Sequence, residues 1–197
     1  MTKRILIPWS GGLDSTALVI SAYSHNIPFD TCFFKINNNV QLQIEELKAR
    51  KKILKYLKKQ HSMQPHISDV ISNINAINVP SDAQLLLPAL LIATLLMTVN
   101  LKLYSEIQFG YIKGDDFWHV KEHFEKMFYS GFKMTRSAEI PKITYPFEWH
   151  KKDQIKRDYY SGEYETIFNK IWFCEKPENR TPCEKCTSCI RHYNEIK

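Results

Sequence analysis

The stretch Ser10-Gly11-Gly12-Leu13-Asp14-Ser15-Thr16 has the residue types needed to hold a phosphate. Its two glycines allow the backbone to approach an anion closely and to adopt positive φ. If a helix follows, the N–H groups of Leu13 to Thr16 begin it without intrahelical acceptors, at the positive end of its dipole. Ser10, Ser15 and Thr16 add hydroxyl donors. A carboxylate at Asp14 suits a helix cap, or a Mg²⁺ ion that bridges phosphates. The string is neither the GxxxxGK[ST] loop nor the GxGxxG fingerprint. The competing reading is an ordinary strand-to-helix turn with a serine cap.

A second group lies near the other end. Cys174, Cys183, Cys186 and Cys189 supply four thiolates within 16 residues. Soft thiolates in a closed set suit one tetrahedral Zn²⁺ per chain, structural rather than catalytic because no coordination position stays open. An iron–sulfur cluster is the alternative. Disulfides fit less well, since Cys-x2-Cys bridges are strained and no apolar signal segment precedes the first glycines. Arg180, Lys185 and Arg191 offset the thiolate charge, and Pro177 and Pro182 stiffen the segment. Cys32, inside an apolar run, reads as a small buried residue.

The elements that must position these groups follow from the pattern. The chain has 197 residues, 44% of them hydrophobic, and only 6 glycines, which excludes collagen-like and broadly disordered chains. Apolar runs predict strands over 3–9, 31–36, 65–71, 106–111 and 142–147, and helical spacing falls over 15–25, 41–59, 118–129 and 151–160. This alternation predicts βαβ units and a mostly parallel sheet covered on both faces. Residues 83–101 carry no charge, but Gln84, Pro88, Thr94, Thr98 and Asn100 interrupt them. They read as a buried central helix or a subunit interface around 85–99 rather than a membrane span, so no membrane partner and a cytoplasmic location are expected. The net charge of +6 is concentrated in the second helix. There Lys48, Arg50, Lys51, Lys52, Lys55, Lys58 and Lys59 surround an apolar face of Ile44, Leu47, Leu54 and Leu57, which predicts a solvated surface, with a nucleic-acid footprint as the alternative.

The loop SGGLDST is similar to the SGGxDS pyrophosphate loop of ATP pyrophosphatases, which release AMP and pyrophosphate while adenylating a carbonyl or carboxyl oxygen. With the tail CEKCTSCIRH, and with Asn78-Val79-Pro80, Phe109-Gly110-Tyr111 and Tyr145-Pro146-Phe147 followed by Lys152 and Ile155, the chain resembles the 7-cyano-7-deazaguanine synthase family over nearly its whole length. The resemblance implies a Rossmann-like, adenine nucleotide alpha hydrolase-like α/β domain over 1–160 and a four-cysteine zinc-binding region over 161–197. It also implies a carbon–nitrogen ligase of queuosine-type nucleoside biosynthesis. Such an enzyme adenylates 7-carboxy-7-deazaguanine with ATP, lets ammonia displace AMP to give the amide, and dehydrates the amide to the nitrile by a second adenylation.

By position, Ser10, Gly11, Gly12, Leu13, Asp14, Ser15 and Thr16 would hold the phosphates and their Mg²⁺. Ser10, Asp14 and Lys152 form the implied catalytic set. Adenine would rest near Ile7, Phe34 and Lys35, with Gly110 and Tyr111 shaping the crevice. A homodimer fits the family. The chain departs from the family pattern at Lys35–Asn39, Ser81–Gln84 and Asp115–His119, where a deazaguanine would be recognised. In that last segment Asp115 and Asp116 read as a base-edge or Mg²⁺ contact or as an acidic turn, and Trp118 as a stacking or a core residue. A divergent acceptor, in nucleic-acid modification or anti-phage defence, therefore stands beside the deazaguanine reading, as does a non-catalytic nucleotide or nucleic-acid binder.

Overall fold

The computed structural model describes residues 4–36, 40–60, 69–74, 100–134 and 140–196. Strand β1 (Arg4–Pro8) leads through the glycine loop into helix α1 (Leu13–Ser24), and β2 (Phe29–Ile36) precedes the long helix α2 (Val40–Gln60). After β3 (Asp69–Ile74) come β4 (Tyr104–Gln108), α3 (Lys121–Met134), β5 (Lys142–Thr144) and α4 (Lys152–Tyr159). Short helices α5 (Glu165–Phe168) and α6 (Thr187–Arg191) lie in the C-terminal segment. The five strands form one parallel sheet in the order β3-β2-β1-β4-β5. The fold is thus the α/β, Rossmann-like architecture expected. Because β1 lies between β2 and β4, the chain reverses direction across the sheet there. In an open sheet the ligand crevice lies at the carboxyl ends of the strands beside such a reversal.

Alternation along β1 shows why both faces are covered. Ile5, Ile7 and Trp9 join α1, α2 and α4 in one core, with Leu18, Ile53, Leu57 and Ile155. Leu6 faces the other core, where Ile107 and Ile143 meet Phe124, Phe128 and Phe132 of α3. The three phenylalanines are spaced by four residues, so a single stripe of α3 is buried. At the amino ends of the strands, Arg4 donates to the Phe29 carbonyl (2.6 Å) and to Asp30 (2.8 Å), and Tyr104 donates to the second Asp30 oxygen (3.0 Å). This ties β1, β2 and β4 together at the end away from the crevice.

Several boundaries differ from the sequence expectation. The described third strand begins at Asp69 and runs to Ile74, later than the 65–71 run. Strand β4 stops at Gln108, so Phe109-Gly110-Tyr111 belongs to the loop that leaves it. Strand β5 stops at Thr144, before a turn that begins at Pro146, a residue with no N–H for a ladder. Helix α2 buries Ala49, Arg50, Ile53 and Leu57, while Ile44, Leu47 and Leu54 are only half-buried. Arg50 therefore leaves the solvated face on which the sequence put it: its guanidinium lies 4.8 Å from the Trp9 ring and 4.7 Å from the Phe33 ring. Two aromatic faces favour a weakly hydrated, planar cation there. The expected helix over 85–99 and the Asn78-Val79-Pro80 segment lie outside the described residues. Among the described residues no helix is long and apolar enough to cross a membrane.

Candidate functional site

The glycine loop stands at the sheet reversal, with α1 starting directly behind it. Gly12 is the N-cap and no side chain caps the helix, so the first-turn N–H groups of Leu13, Asp14 and Ser15 face the crevice without an intrahelical acceptor. Ser10 Oγ lies 3.0 Å from Ser15 Oγ and accepts from the Gly12 N–H at 3.3 Å, which shapes the loop as a compact turn of donors. The Thr16 side chain points inward instead: it is fully buried and accepts from the Trp9 indole at 2.9 Å, so its hydroxyl anchors the loop. Gly11 holds φ +88°, and a Cβ there would stand 3.0 Å from Arg50 Cγ and 3.1 Å from the Glu46 carbonyl oxygen. Only glycine combines that backbone with that contact. The neighbouring Glu46 carboxyl is raised to about 8 by desolvation, an effect partly opposed by Arg50.

Lys152, at the start of α4, donates to Asp14 Oδ2 and lies 3.7 Å from Asp115. Arg191 approaches the same Asp115 oxygen at 3.8 Å. Asp14 and Lys152 are 138 residues apart, and their side chains are 19% and 15% exposed. Desolvation raises the Asp14 pKa, outweighing the lowering by Lys152. The second carboxylate oxygen, Asp14 Oδ1, is buried without a hydrogen-bond partner. A buried carboxylate oxygen left unpaired beside a phosphate loop fits a hard cation such as Mg²⁺. Beside it opens a cleft of about 520 Å³ lined by Lys113, His150, Lys151, Lys152 and Arg191, with Ile112, Gly114 and Asp153. The cations predominate, which suits a polyphosphate.

The remaining expected residues fall in different places. Gly110 packs on the first turn of α1 so closely that a Cβ would stand 2.9 Å from Asp14 C and Ser15 N. Tyr111 stacks on Phe117 at 3.9 Å, and burial with the nearby Asp115 pushes its phenol up to about 12. Ile7 is fully buried in the core of the α1 layer, whereas Phe34 packs against the opposite layer. These two side chains are therefore not brought together, because neighbouring strands present them to opposite faces. Lys35 lies in β2, near its carboxyl end. Asp115 accepts from the Ile112 N–H (3.1 Å) and neighbours the two cations, Asp116 is exposed, and the Trp118 indole donates to the Ile112 carbonyl within an aromatic cluster. Arg50, Trp172 and Arg191 were not singled out by sequence as parts of the site. Nothing in local spacing marks Arg50 or Trp172, while the position of Arg191 in the sequence marks it only as a counter-charge to the thiolates.

The four tail cysteines form the second site. Cys174, Cys183, Cys186 and Cys189 bring their sulfurs within 4.8 Å of one another, and Cys183 and Cys189 stand 3.9 Å apart. Backbone N–H groups of Cys183, Cys186 and Cys189 donate to the sulfurs of Cys174, Cys183 and Cys186 at 3.3, 3.3 and 3.4 Å. Such donors stabilise thiolates, and they hold Cys183 down at about 7, led by the Lys185 N–H. Burial pushes Cys189 up. The donor set and its N–H···S bonds fit a metal bound by four thiolates. Cys32 is buried far from this group, in the sheet.

No protein-family model matches the chain, and no curated protein matches it in sequence. Among solved structures, the U34-tRNA thiolase NcsA from Methanococcus maripaludis, with its [4Fe-4S] cluster, is similar in fold with a TM-score of 0.50 at 12% identity. The match covers 92% of this chain and 62% of that one, so the chain spans less than two thirds of the thiolase's length. At this identity the likeness bears on the fold, which both chains share.

Proposed function

We propose that this chain is an ATP-dependent adenylating enzyme, a carbon–nitrogen ligase of the 7-cyano-7-deazaguanine synthase kind. The observation that carries the reading is the meeting of Asp14 and Lys152 at the uncapped start of α1, at the sheet reversal and beside a basic cleft. In this reading the N–H groups of Leu13 to Ser15 and the hydroxyls of Ser10 and Ser15 bind the β- and γ-phosphates. A substrate carboxylate oxygen attacks the α-phosphorus, the bond to the bridging oxygen breaks, and pyrophosphate leaves with its added charge beside Lys152. Ammonia nitrogen then attacks the acyl carbon, loses a proton, and expels AMP to give the amide. A second adenylation on the amide oxygen allows loss of AMP and a proton to give the nitrile. Asp14 would hold Mg²⁺ through its unpaired oxygen, and the ion would neutralise phosphate charge. The domain over 1–160 and the cysteine region over 161–197 would act as catalytic and metal-binding parts of one enzyme, in a cytoplasmic monomer or homodimer.

For the four thiolates the proposed metal is one Zn²⁺. Four sulfurs at about 2.3 Å from one ion stand roughly 3.8 Å apart, close to the 3.9 Å between Cys183 and Cys189. A cluster of several iron and sulfide atoms would need its thiolates further apart, around the cluster's volume.

A second reading keeps the chemistry but makes a nucleic acid the acceptor. It is favoured by the exposed lysines of α2 (Lys51, Lys52, Lys55, Lys58 and Lys59) and by the fold shared with a tRNA-modifying enzyme. ATP–pyrophosphate exchange separates the possibilities. Exchange with 7-carboxy-7-deazaguanine and nitrile formation, read by mass spectrometry, is the expected result. AMP release that depends on RNA or DNA instead would select the second reading. No AMP with any acceptor, at about one zinc per chain by elemental analysis, would leave a nucleotide binder without catalysis.

A further inference from the structure

The cysteine region touches the phosphate loop through Trp172 and the neighbouring basic cleft through Arg191. The Trp172 N–H donates to the Gly11 carbonyl at 2.9 Å, and a Cβ on Gly12 would lie 3.4 Å from the Trp172 carbonyl oxygen. Trp172 is itself held by the cysteine unit, its indole donating to the Cys174 carbonyl at 2.7 Å. Helix α6 carries Arg191 into the basic cleft, 3.8 Å from the Asp115 oxygen that also faces Lys152. Helix α6 has Cys186 as its N-cap, with the Cys186 sulfur accepting from the Cys189 N–H, and Arg191 follows Cys189 by two residues. His192, next in the chain, stacks on Phe173 at 3.7 Å, which closes the unit on itself. The position of Arg191 therefore depends on two thiolates, and that of Trp172 on a third residue of the same set.

Resting on the nucleotide reading above, we infer that the four-cysteine unit is a wall of the nucleotide site: it delivers Arg191 to the phosphates and fixes Gly11 through Trp172, so metal occupancy sets phosphate affinity. Four thiolates gathered without a cation repel one another, so loss of the metal loosens α6 and withdraws Arg191 while the distant sheet stays packed. The guanidinium stands 3.8 Å from Asp115, whose same oxygen faces Lys152 at 3.7 Å. A bound polyphosphate offers that guanidinium a stronger, bidentate partner than Asp115 at that distance. The tail is then a positioning device for the site and more than a brace for the fold.

The test uses the metal-loaded full chain and α,β-methylene ATP as the probe, with binding measured by calorimetry. Arg191→Gln, at unchanged metal content, is expected to weaken binding on the order of tenfold, as for loss of one charge-assisted contact. Chelation of the wild-type metal is expected to weaken it at least as much, and chelation of the variant to add little, because both act through one side chain. Amide exchange should speed up on chelation at Trp172 and Thr16, whose N–H groups bond the Gly11 and Gly12 carbonyls, and stay slow in β1 and β2. Wild-type affinity in the Arg191→Gln protein overturns the inference even if chelation unfolds the chain. Chelated protein that keeps full affinity and slow exchange at Trp172 and Thr16 overturns it too. Metal-loaded wild type that fails to bind the probe at all overturns the nucleotide reading together with this one.

Discussion

Asp14 sits between two opposing demands. Burial raises its pKa against the pull of Lys152, so its ionised form costs the folded state stability, yet the proposed chemistry needs that charge for a cation. Asp14→Asn removes the buried charge while keeping the shape. Its thermal midpoint is expected to rise by roughly 2 °C at neutral pH, with AMP formation falling by about a hundredfold or more. A midpoint that drops by a similar amount would show that the ion pair with Lys152 outweighs the burial. The side chain was legible in the sequence as part of a phosphate loop. Its partner was not, because 138 residues separate the two and no local pattern joins them.

Elements bring these residues together, and the tightest join is between the end of β4 and the start of α1. Gly110 leaves no room for a Cβ against the Asp14 and Ser15 backbone, at 2.9 Å from each. Backbone on the far side of a contact cannot swing away as a side chain can, so Gly110→Ala must push the α1 N-terminus out of place. We expect a loss of about 1–3 kcal/mol in stability, as for other overpacked sites, and a parallel loss of ATP-analogue affinity. Lowered stability with unchanged affinity would separate this contact from the phosphate site. Element type and order followed from the apolar periodicity of the chain, since 2-residue and 3.6-residue spacings record burial directly. The facing of α2 did not follow. Its spacing favoured Ile44, Leu47, Leu54 and Leu57, but the Trp9 and Phe33 rings draw in Arg50, and Ala49, Ile53 and Leu57 come with it.

At the scale of the whole molecule, partly buried carboxyls shape the dependence of stability on pH. Glu46 is raised from 4.5 to about 8 by desolvation. Between those values the folded chain holds a proton that the unfolded chain has released, so stability falls as pH rises through that window and levels off above it. Asp14 acts with the same sign. Glu46→Gln should flatten the denaturation profile between about pH 5 and 8 and leave the variant more stable than wild type at about pH 9, as read by chemical denaturation. An unchanged slope would exclude Glu46 as its source.

The amino-acid sequence by itself determined what short-range chemistry can encode. The glycine loop, the alternation of strands and helices and the spacing of four cysteines each lie within a few turns of chain, where backbone geometry alone relates one residue to the next. Tertiary structure decided which distant groups share a site. Lys152 and Arg191 reach Asp115, Trp172 clasps Gly11, and Gly110 packs on α1. These contacts join residues far apart in the chain, and they exist only because a parallel sheet that reverses beside β1 draws its loops to one crevice.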